Sequence, residues 1–161
     1  MNEAKSAIDV ARYIINYCHD HDMPISNLKL QKLLYLVQGV SLALRDIPMF
    51  EDEIEAWDFG PVVPSVYREF KVFGANEIPR IDFYYDMNFN SDTFLDKIEV
   101  TTENFDNQER IIIEKVIDAF GHLSANELVR LTHAQDPWKN AYKKSKNETI
   151  KNESIKEYFK A

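Results

Sequence analysis

The stretch LKLQKLLYLVQGVSLAL, residues 28–44, decides the fold of this chain. One stripe of mostly apolar residues follows the 3.6-residue period of a helix face: Leu30, Leu33, Leu34, Val37, Ser41 and Leu44. Ser26 or Asn27 stands just before it as an N-cap. The pattern predicts a central core helix, with three polar residues lying off the apolar stripe: Lys29, Gln31 and Lys32.

The segments around this helix predict a second helix and a small β element. Upstream, Ser6 precedes apolar residues at helical spacing, so a capped helix is expected over about residues 7–21. Downstream, the alternation of residues 53–57 predicts a short half-buried strand, and Phe59–Pro64 predicts a tight loop. Pro64 would open a helix that stops at Gly74. Residues 78–100 lack a helical period, which favours an irregular loop with one or two short strands.

The last third of the chain returns to helical patterns. Asn104 or Asp106 would cap a helix that ends at Gly121, with this buried face: Ile111, Ile112, Lys115, Val116 and Ala119 or Phe120. Residues 124–127, SANE, form a capping box that starts a short helix. Asp136 is expected to cap a helix over residues 137–144, and Asn152 a last one to about Phe159. We therefore predict one mainly α domain over residues 1–161, with a small β element.

Composition excludes several broad classes of protein. The 161 residues carry 27 acidic and 19 basic side chains, a net charge of −8, and one cysteine, which cannot form a disulfide within the chain. No apolar run approaches the roughly 20 residues that span a bilayer. Residues 1–5, MNEAK, lack the basic segment and apolar core of a signal peptide. We expect a soluble cytoplasmic protein that has no membrane contact.

The charges are unevenly distributed along the sequence. Residues 46–58 carry six acids and no base, and residues 82–109 carry eight acids against Lys97 alone. Residues 139–160 reverse this, with seven lysines against three glutamates. Because nucleic-acid affinity comes mainly from Lys and Arg, a net charge of −8 disfavours nucleic acid and favours a basic protein partner. The alternative interpretation of both acidic stretches is an ordinary solvated surface.

The residues that could carry chemistry are few, and no cofactor or catalytic residue is predicted. Residues 18–22, CHDHD, hold common metal-ligand types, but neighbouring positions at a helix end point to different sides, so no metal site is expected. Cys18 falls on the predicted buried stripe, where a thiol behaves as a small apolar group. One alternative function stays open at this point, an enzyme that uses the carboxylate-rich loops together with His133.

Four short motifs occur in order along the chain: KLQKLLY at 29–35, AWDFGPV at 56–62, SANEL at 124–128 and THAQDPW at 132–138. In this order and spacing the chain resembles the Panacea domain family of SocA-like or GepA-like phage-associated antitoxins, over nearly its whole length. The resemblance places the family's motif positions, which are also candidate partner-binding residues, at Lys29, Lys32, Tyr35, Trp57, Gly60, Pro61, Tyr67, His133 and Trp138.

Most of these motif residues are interpreted as scaffold. Gly60-Pro61 would set a turn, Trp57 and Trp138 would bury large rings whose indole N–H needs a partner, and His133 would orient the turn before residue 136. The exceptions are Lys29 and Lys32. One turn apart on the predicted polar side of the helix, they would present an exposed charged and aromatic binding spot with Tyr35.

The resemblance also implies a function and a partner. Its members neutralise toxins by direct binding without enzymatic activity, so we expect a cognate protein toxin, encoded by an adjacent gene. The alternatives are a phage- or mobile-element-associated regulator that contacts nucleic acid and a protease adaptor. The residues give no prediction of the oligomeric state.

Overall fold

The computed structural model describes residues 4–161. The first three of residues 1–5, for which no signal peptide is predicted, therefore lie outside the described residues. The mainly α fold with a small β element is confirmed. The helices are α1 Ala7–Asp20, α2 Asn27–Arg45, α3 Pro64–Phe70, α4 Asn107–Phe120, α5 Ala125–His133, α6 Asp136–Lys144 and α7 Asn152–Lys160. The strands are β1 Ile54–Trp57, β2 Gly60–Val62, β3 Phe83–Met87, β4 Leu95–Glu99 and β5 Glu148–Ile150.

The predicted helix starts are largely confirmed by their caps. The Ser6 and Ser26 side chains accept from backbone N–H groups of the first turn, and Asp106 and Ser124 each form a complete capping box. Two starts differ by one position. Asp136 lies inside α6, and the N-cap of α7 is the residue before Asn152. In both cases the extended residue that precedes the helix takes the cap position without a side-chain bond.

Helix α2 lies at the centre and contacts most other elements. The predicted stripe is buried from Leu30 to Ser41, but Leu44 is 73% exposed, and the buried residue of the last turn is Leu42. In α4 the predicted face is partly wrong. Ile111 points outward, whereas Ile113 and Ile117 are fully buried against α2 together with Ile112 and Val116. Consecutive isoleucines leave the rotation of a helix undetermined by periodicity alone.

Two small antiparallel sheets complete the fold. In the first, β1 lies between β2 and β5, with Glu55 opposite Val62 and Ile54 opposite Ile150. The predicted tight loop at Phe59–Pro64 is therefore partly wrong, because three of its residues form β2. The second sheet pairs β3 with β4, which confirms short strands within residues 78–100. Among the helices of residues 4–161, none is long and apolar enough to cross a bilayer.

Candidate functional site

The polar side chains of the central helix are buried, which makes the predicted binding spot wrong. Lys32 and Tyr35 have no exposed surface, and Lys29 is almost fully covered. Lys29 donates hydrogen bonds to the carbonyl oxygens of Pro24 and Gly121, and the Tyr35 hydroxyl donates to Gln135 Oε1 at 2.8 Å. These side chains therefore bind segments of the same chain inside the molecule instead of presenting charge at its surface.

Lys32 holds β2 of the β1–β2 hairpin against α2. Its Nζ donates to the carbonyl oxygen of Pro61 at 3.0 Å, and burial lowers the pKa of this lysine to about 7. Gly60 adopts φ 111°, and a Cβ there would lie 2.9 Å from Lys32 Cε and 3.0 Å from Thr132 Oγ1. Only glycine combines that backbone conformation with so close an approach. Gly60 thus lets the backbone of β2 lie directly against the aliphatic part of the Lys32 side chain.

A second set of contacts joins α2 to the residue that follows β2 and to α3. Gln31 Oε1 accepts from the backbone N–H of Val63 at 2.9 Å, and its Nε2 donates to Asn27 Oδ1 at 2.9 Å. Asn27 in turn donates to the carbonyl oxygen of Tyr67 at 3.1 Å. Sequence reasoning placed Gln31 off the core stripe and gave it no role. An amide inside an otherwise apolar helix is the signal that could have indicated it.

His133, at the end of α5, and Trp138, in α6, support the β1–β2 hairpin. Their rings stack at 4.0 Å between centroids, and Trp138 Nε1 donates to the carbonyl oxygen of Trp57 at 2.8 Å. Burial lowers the pKa of His133, and the backbone of Asp58 partly offsets that effect. Within residues 4–161, the buried Nε2 of His133 has no hydrogen-bond partner. The predicted need of the Trp138 indole for a partner is thus met by the backbone of β1.

The β1–β2 hairpin forms one wall of a pocket that we call the aromatic pocket. Its cavity volume is about 550 Å³, and it is lined by Asn27, Leu28, Trp57, Asp58, Phe59, Val62, Tyr67, Lys71, Gly74, Ala75, Lys146 and Asn147. Trp57 and Tyr67 meet edge to face at 5.0 Å, and the Trp57 indole N–H donates to Glu55 Oε1 at 2.9 Å. Phe59 is 66% exposed at the rim. The pocket therefore combines fixed aromatic walls with one projecting ring.

Charged groups surround this pocket. Asp58 accepts from the Tyr142 hydroxyl at 2.6 Å and lies 3.4 Å from Lys146 Nζ. The Tyr142 hydrogen bond, more than the lysine, lowers the pKa of Asp58. Lys71 adds an exposed cation to the lining. Such a site is suited to an apolar or aromatic group that has polar neighbours.

The motif residues thus separate into two groups. Trp57 and Tyr67 line the aromatic pocket, and His133 and Trp138 are half-buried beside the hairpin. The other candidates named from the sequence are buried: Lys29, Lys32, Tyr35, Gly60 and Pro61. Sequence reasoning missed Phe59, Lys71 and Lys146. Phe59 occupies a position inside the AWDFGPV motif, where an aromatic residue in a turn was the available signal.

The Cys18–Asp22 stretch lies at the end of α1, away from this pocket. Burial raises the pKa of the Cys18 thiol to about 11, as expected for a cysteine that packs as an apolar group. The His19 and His21 rings contact different backbone carbonyls, those of Ile78 and Tyr17. In the described part of the chain, no three His, Cys, Asp or Glu side chains are grouped so that they could hold a metal ion.

Comparison with known proteins gives this arrangement a family. The model of the SocA-like antitoxin family, Panacea domain, matches residues 30–139, which run from α2 through the hairpin and α3 to Trp138 and Lys139. The chain belongs to the Panacea domain family. The matched residues include Lys32, Gly60 and Pro61, so the contact that holds β2 against α2 lies within the Panacea domain, whereas Asn27 and Lys29 come just before the matched range.

A curated relative supports this membership. The chain is 35% identical over 130 residues to Antitoxin SocA of Caulobacter vibrioides (strain NA1000 / CB15N), a match that covers 80% of this Panacea protein and 66% of the relative. The chain thus spans just under two thirds of the length of the curated relative it matches. No solved structure matches it.

Proposed function

We propose that this Panacea protein is an antitoxin that neutralises a cognate toxin by direct binding, without enzymatic activity. Its family and its relative SocA support the antitoxin role. The observation that carries direct binding is the aromatic pocket, with Phe59 projecting at the rim beside Trp57 and Tyr67. Binding energy at protein interfaces concentrates on buried aromatic anchors in fixed pockets.

The pocket suits one side chain or short apolar segment of the toxin. A partner ring would pack between Trp57 and Tyr67, which already face each other edge to face. Phe59 would then lose its exposed surface to the partner and supply further apolar burial. Because α2 and Trp138 hold the hairpin from behind, the pocket walls need little reordering, which lowers the entropic cost of binding.

We further propose that the toxin is encoded by the adjacent gene and that both proteins act in the cytoplasm. The test is co-expression of the adjacent reading frame with the wild-type chain, Phe59→Ser, or Val72→Ser. Val72 is an exposed apolar residue that does not line the aromatic pocket, so it is the matched control. We expect the product alone to arrest growth, the wild type and Val72→Ser to restore it, and Phe59→Ser to restore it poorly.

A pull-down with purified proteins completes the test. Wild type and Val72→Ser should retain the toxin, and Phe59→Ser should weaken its binding at least about tenfold, since burying a Phe contributes roughly 1.5–3 kcal/mol. A product that is harmless alone, or that still arrests growth beside the wild type, would show that the antitoxin proposal is wrong. Growth rescue without physical association would contradict direct binding.

A further inference from the structure

The outer face of the β3–β4 hairpin presents apolar side chains to solvent. Phe83, Tyr85 and Met87 alternate along β3 and are 43%, 59% and 67% exposed. Residues directly opposite each other in an antiparallel pair share a face, so Leu95, opposite Met87, joins them. Phe89 and Phe94 extend this surface into the turn, where both rings are exposed. We call these six residues the hairpin patch.

Exposed large hydrophobic residues are concentrated in the hairpin patch. Twelve large hydrophobic residues are exposed in the described part of the chain, and six of them lie within residues 83–95. Soluble proteins scatter such residues singly, and contiguous apolar patches mark interaction surfaces. The sheet has only two strands, so no further strand of residues 4–161 covers its edges.

The hairpin is held to the body of the molecule by its inner face and its base. The Arg12 guanidinium lies 3.5 Å from the ring centroid of Tyr84, on the opposite side of β3 from the patch. The Asn16 side chain both donates to the carbonyl oxygen of Ile81, at 2.7 Å, and accepts from its N–H, at 2.9 Å. The outward direction of the patch is therefore fixed by contacts to α1.

Acidic groups surround the patch. Asp92, Glu99 and Glu103 lie within or just after the hairpin, and within residues 4–161 none of them has a basic group within 4.0 Å. The single lysine of the segment, Lys97, lies 4.3 Å from the Phe83 ring centroid, against the patch itself. The surface therefore has an apolar centre and an uncompensated negative rim.

We propose that the hairpin patch docks a basic protein segment, in which apolar side chains are flanked by Lys or Arg. Charge complementarity selects this occupant, because the acidic rim repels a second copy of the chain, a nucleic acid and an anionic membrane alike. This inference rests on the proposed function, since the basic segment would belong to the toxin. The hairpin patch would thus be a second contact for the same partner, separate from the aromatic pocket.

The experiment measures binding of the purified product of the adjacent gene to two sets of variants. The apolar set is Tyr85→Ser, Met87→Ser and Phe89→Ser combined, with Leu44→Ser and Val72→Ser as the matched control for exposed apolar residues elsewhere. The charge set is Asp92→Lys with Glu99→Lys, and its control is Glu153→Lys with Glu157→Lys on α7. Circular dichroism and melting temperature check that each variant is folded.

We expect the apolar set to raise Kd at least about tenfold, because three exposed apolar side chains lose their burial in the complex. The charge set should slow association about tenfold at low salt, and the difference should shrink at high salt as the charges are screened. Both control sets should bind within about threefold of the wild type.

Three outcomes overturn the inference in distinguishable ways. If the wild type binds and both hairpin sets bind equally well, the hairpin patch is not the docking surface, and the proposed function stands. If the wild type does not bind the product, the proposed function fails and the inference fails with it. If gel filtration gives a dimer that the apolar set dissociates, a second copy covers the patch instead.

Discussion

At the scale of single residues, the unusual group is Lys32. Lys32 has no exposed surface and no carboxylate partner among residues 4–161, which is costly because the interior disfavours its charged form. Its hydrogen bond to Pro61 sets the β1–β2 turn, so the position of the pocket wall depends on a group whose charge changes near neutral pH.

This burial predicts a pH-dependent stability. The unfolded chain keeps the Lys32 proton to about pH 10.4, whereas the folded chain releases it near pH 7. Above pH 7 the unfolded state binds more protons, so the free energy of unfolding rises with pH, by at most about 1.4 kcal/mol per pH unit. Urea denaturation at about pH 7 and pH 8.5 should show the wild type gaining up to about 2 kcal/mol relative to Lys32→Met.

Lys115→Met is the control for removal of an exposed lysine. It should follow the wild type at both pH values, because its side chain is exposed on α4. Parallel stability changes in the wild type and Lys32→Met would show that Lys32 does not titrate in this range.

The same residue explains why the site was only partly predictable. Periodicity located the core face of α2 through Leu30, Leu33, Leu34 and Val37, all of them buried. The prediction placed Lys32 at the surface because lysine is rarely buried in folded proteins. The acceptor that makes the burial possible is the carbonyl of Pro61, 29 residues later, and a local pattern contains no information about it.

At the scale of elements, α7 packs against α2 through one close approach. A Cβ on Gly39 would lie 2.5 Å from the Phe159 ring, so glycine lets the aromatic ring reach the helix backbone. Phe159 also meets Tyr35 edge to face at 5.6 Å. The glycine of the central helix therefore sets the distance between the first and the last part of the chain.

This contact predicts that Gly39→Ala changes the free energy of unfolding in opposite directions with and without the Phe159 ring. In the wild type, Gly39→Ala should destabilise the fold by roughly 1–3 kcal/mol, because the added methyl group forces the ring or α7 to shift. In a Phe159→Ala background the same change should stabilise it by about 1 kcal/mol through helix propensity. A denaturation double-mutant cycle measures the coupling. Equal destabilisation in both backgrounds would contradict the contact.

Elements with strong local signals were predictable, and elements that depend on a distant partner were not. The Ser124–Glu127 capping box is satisfied within four residues, and the structure has it as predicted. Strand β5 has only three residues and exists because Ile150 and its neighbours pair with β1, almost a hundred residues earlier. Nothing in the lysine-rich sequence around it indicates a strand.

At the scale of the whole molecule, the two acidic stretches differ in how they are used. Much of residues 46–58 is bonded within the chain. Asp46 pairs with Lys156, Asp58 pairs with Lys146, and Asp52 accepts from the Ala7 N–H and the Ser65 hydroxyl. The basic end of the chain thus pairs with two acids of the first stretch. In residues 82–109 the paired acids are Asp82 and Glu109, at the two ends of the stretch, so the acids beside the hairpin patch are the ones that have no basic partner in residues 4–161.

This difference predicts unequal effects of charge reversal. Glu51→Lys with Glu53→Lys should change the association rate with the toxin less than about threefold, because these exposed charges lie on a segment outside the hairpin patch. Stopped-flow association at low salt measures the effect, and the hairpin charge set provides the comparison. A loss as large as that of the hairpin set would instead assign the first stretch to the interface.

The positions of the two tryptophans have a practical consequence. Both lie at the β1–β2 hairpin. Trp57 lines the aromatic pocket, and Trp138 stacks on His133 and donates to the backbone of Trp57. Tryptophan fluorescence therefore arises only from this part of the molecule. A toxin entering the pocket would change the emission of Trp57 directly, so complex formation can be followed by light in the unlabelled protein.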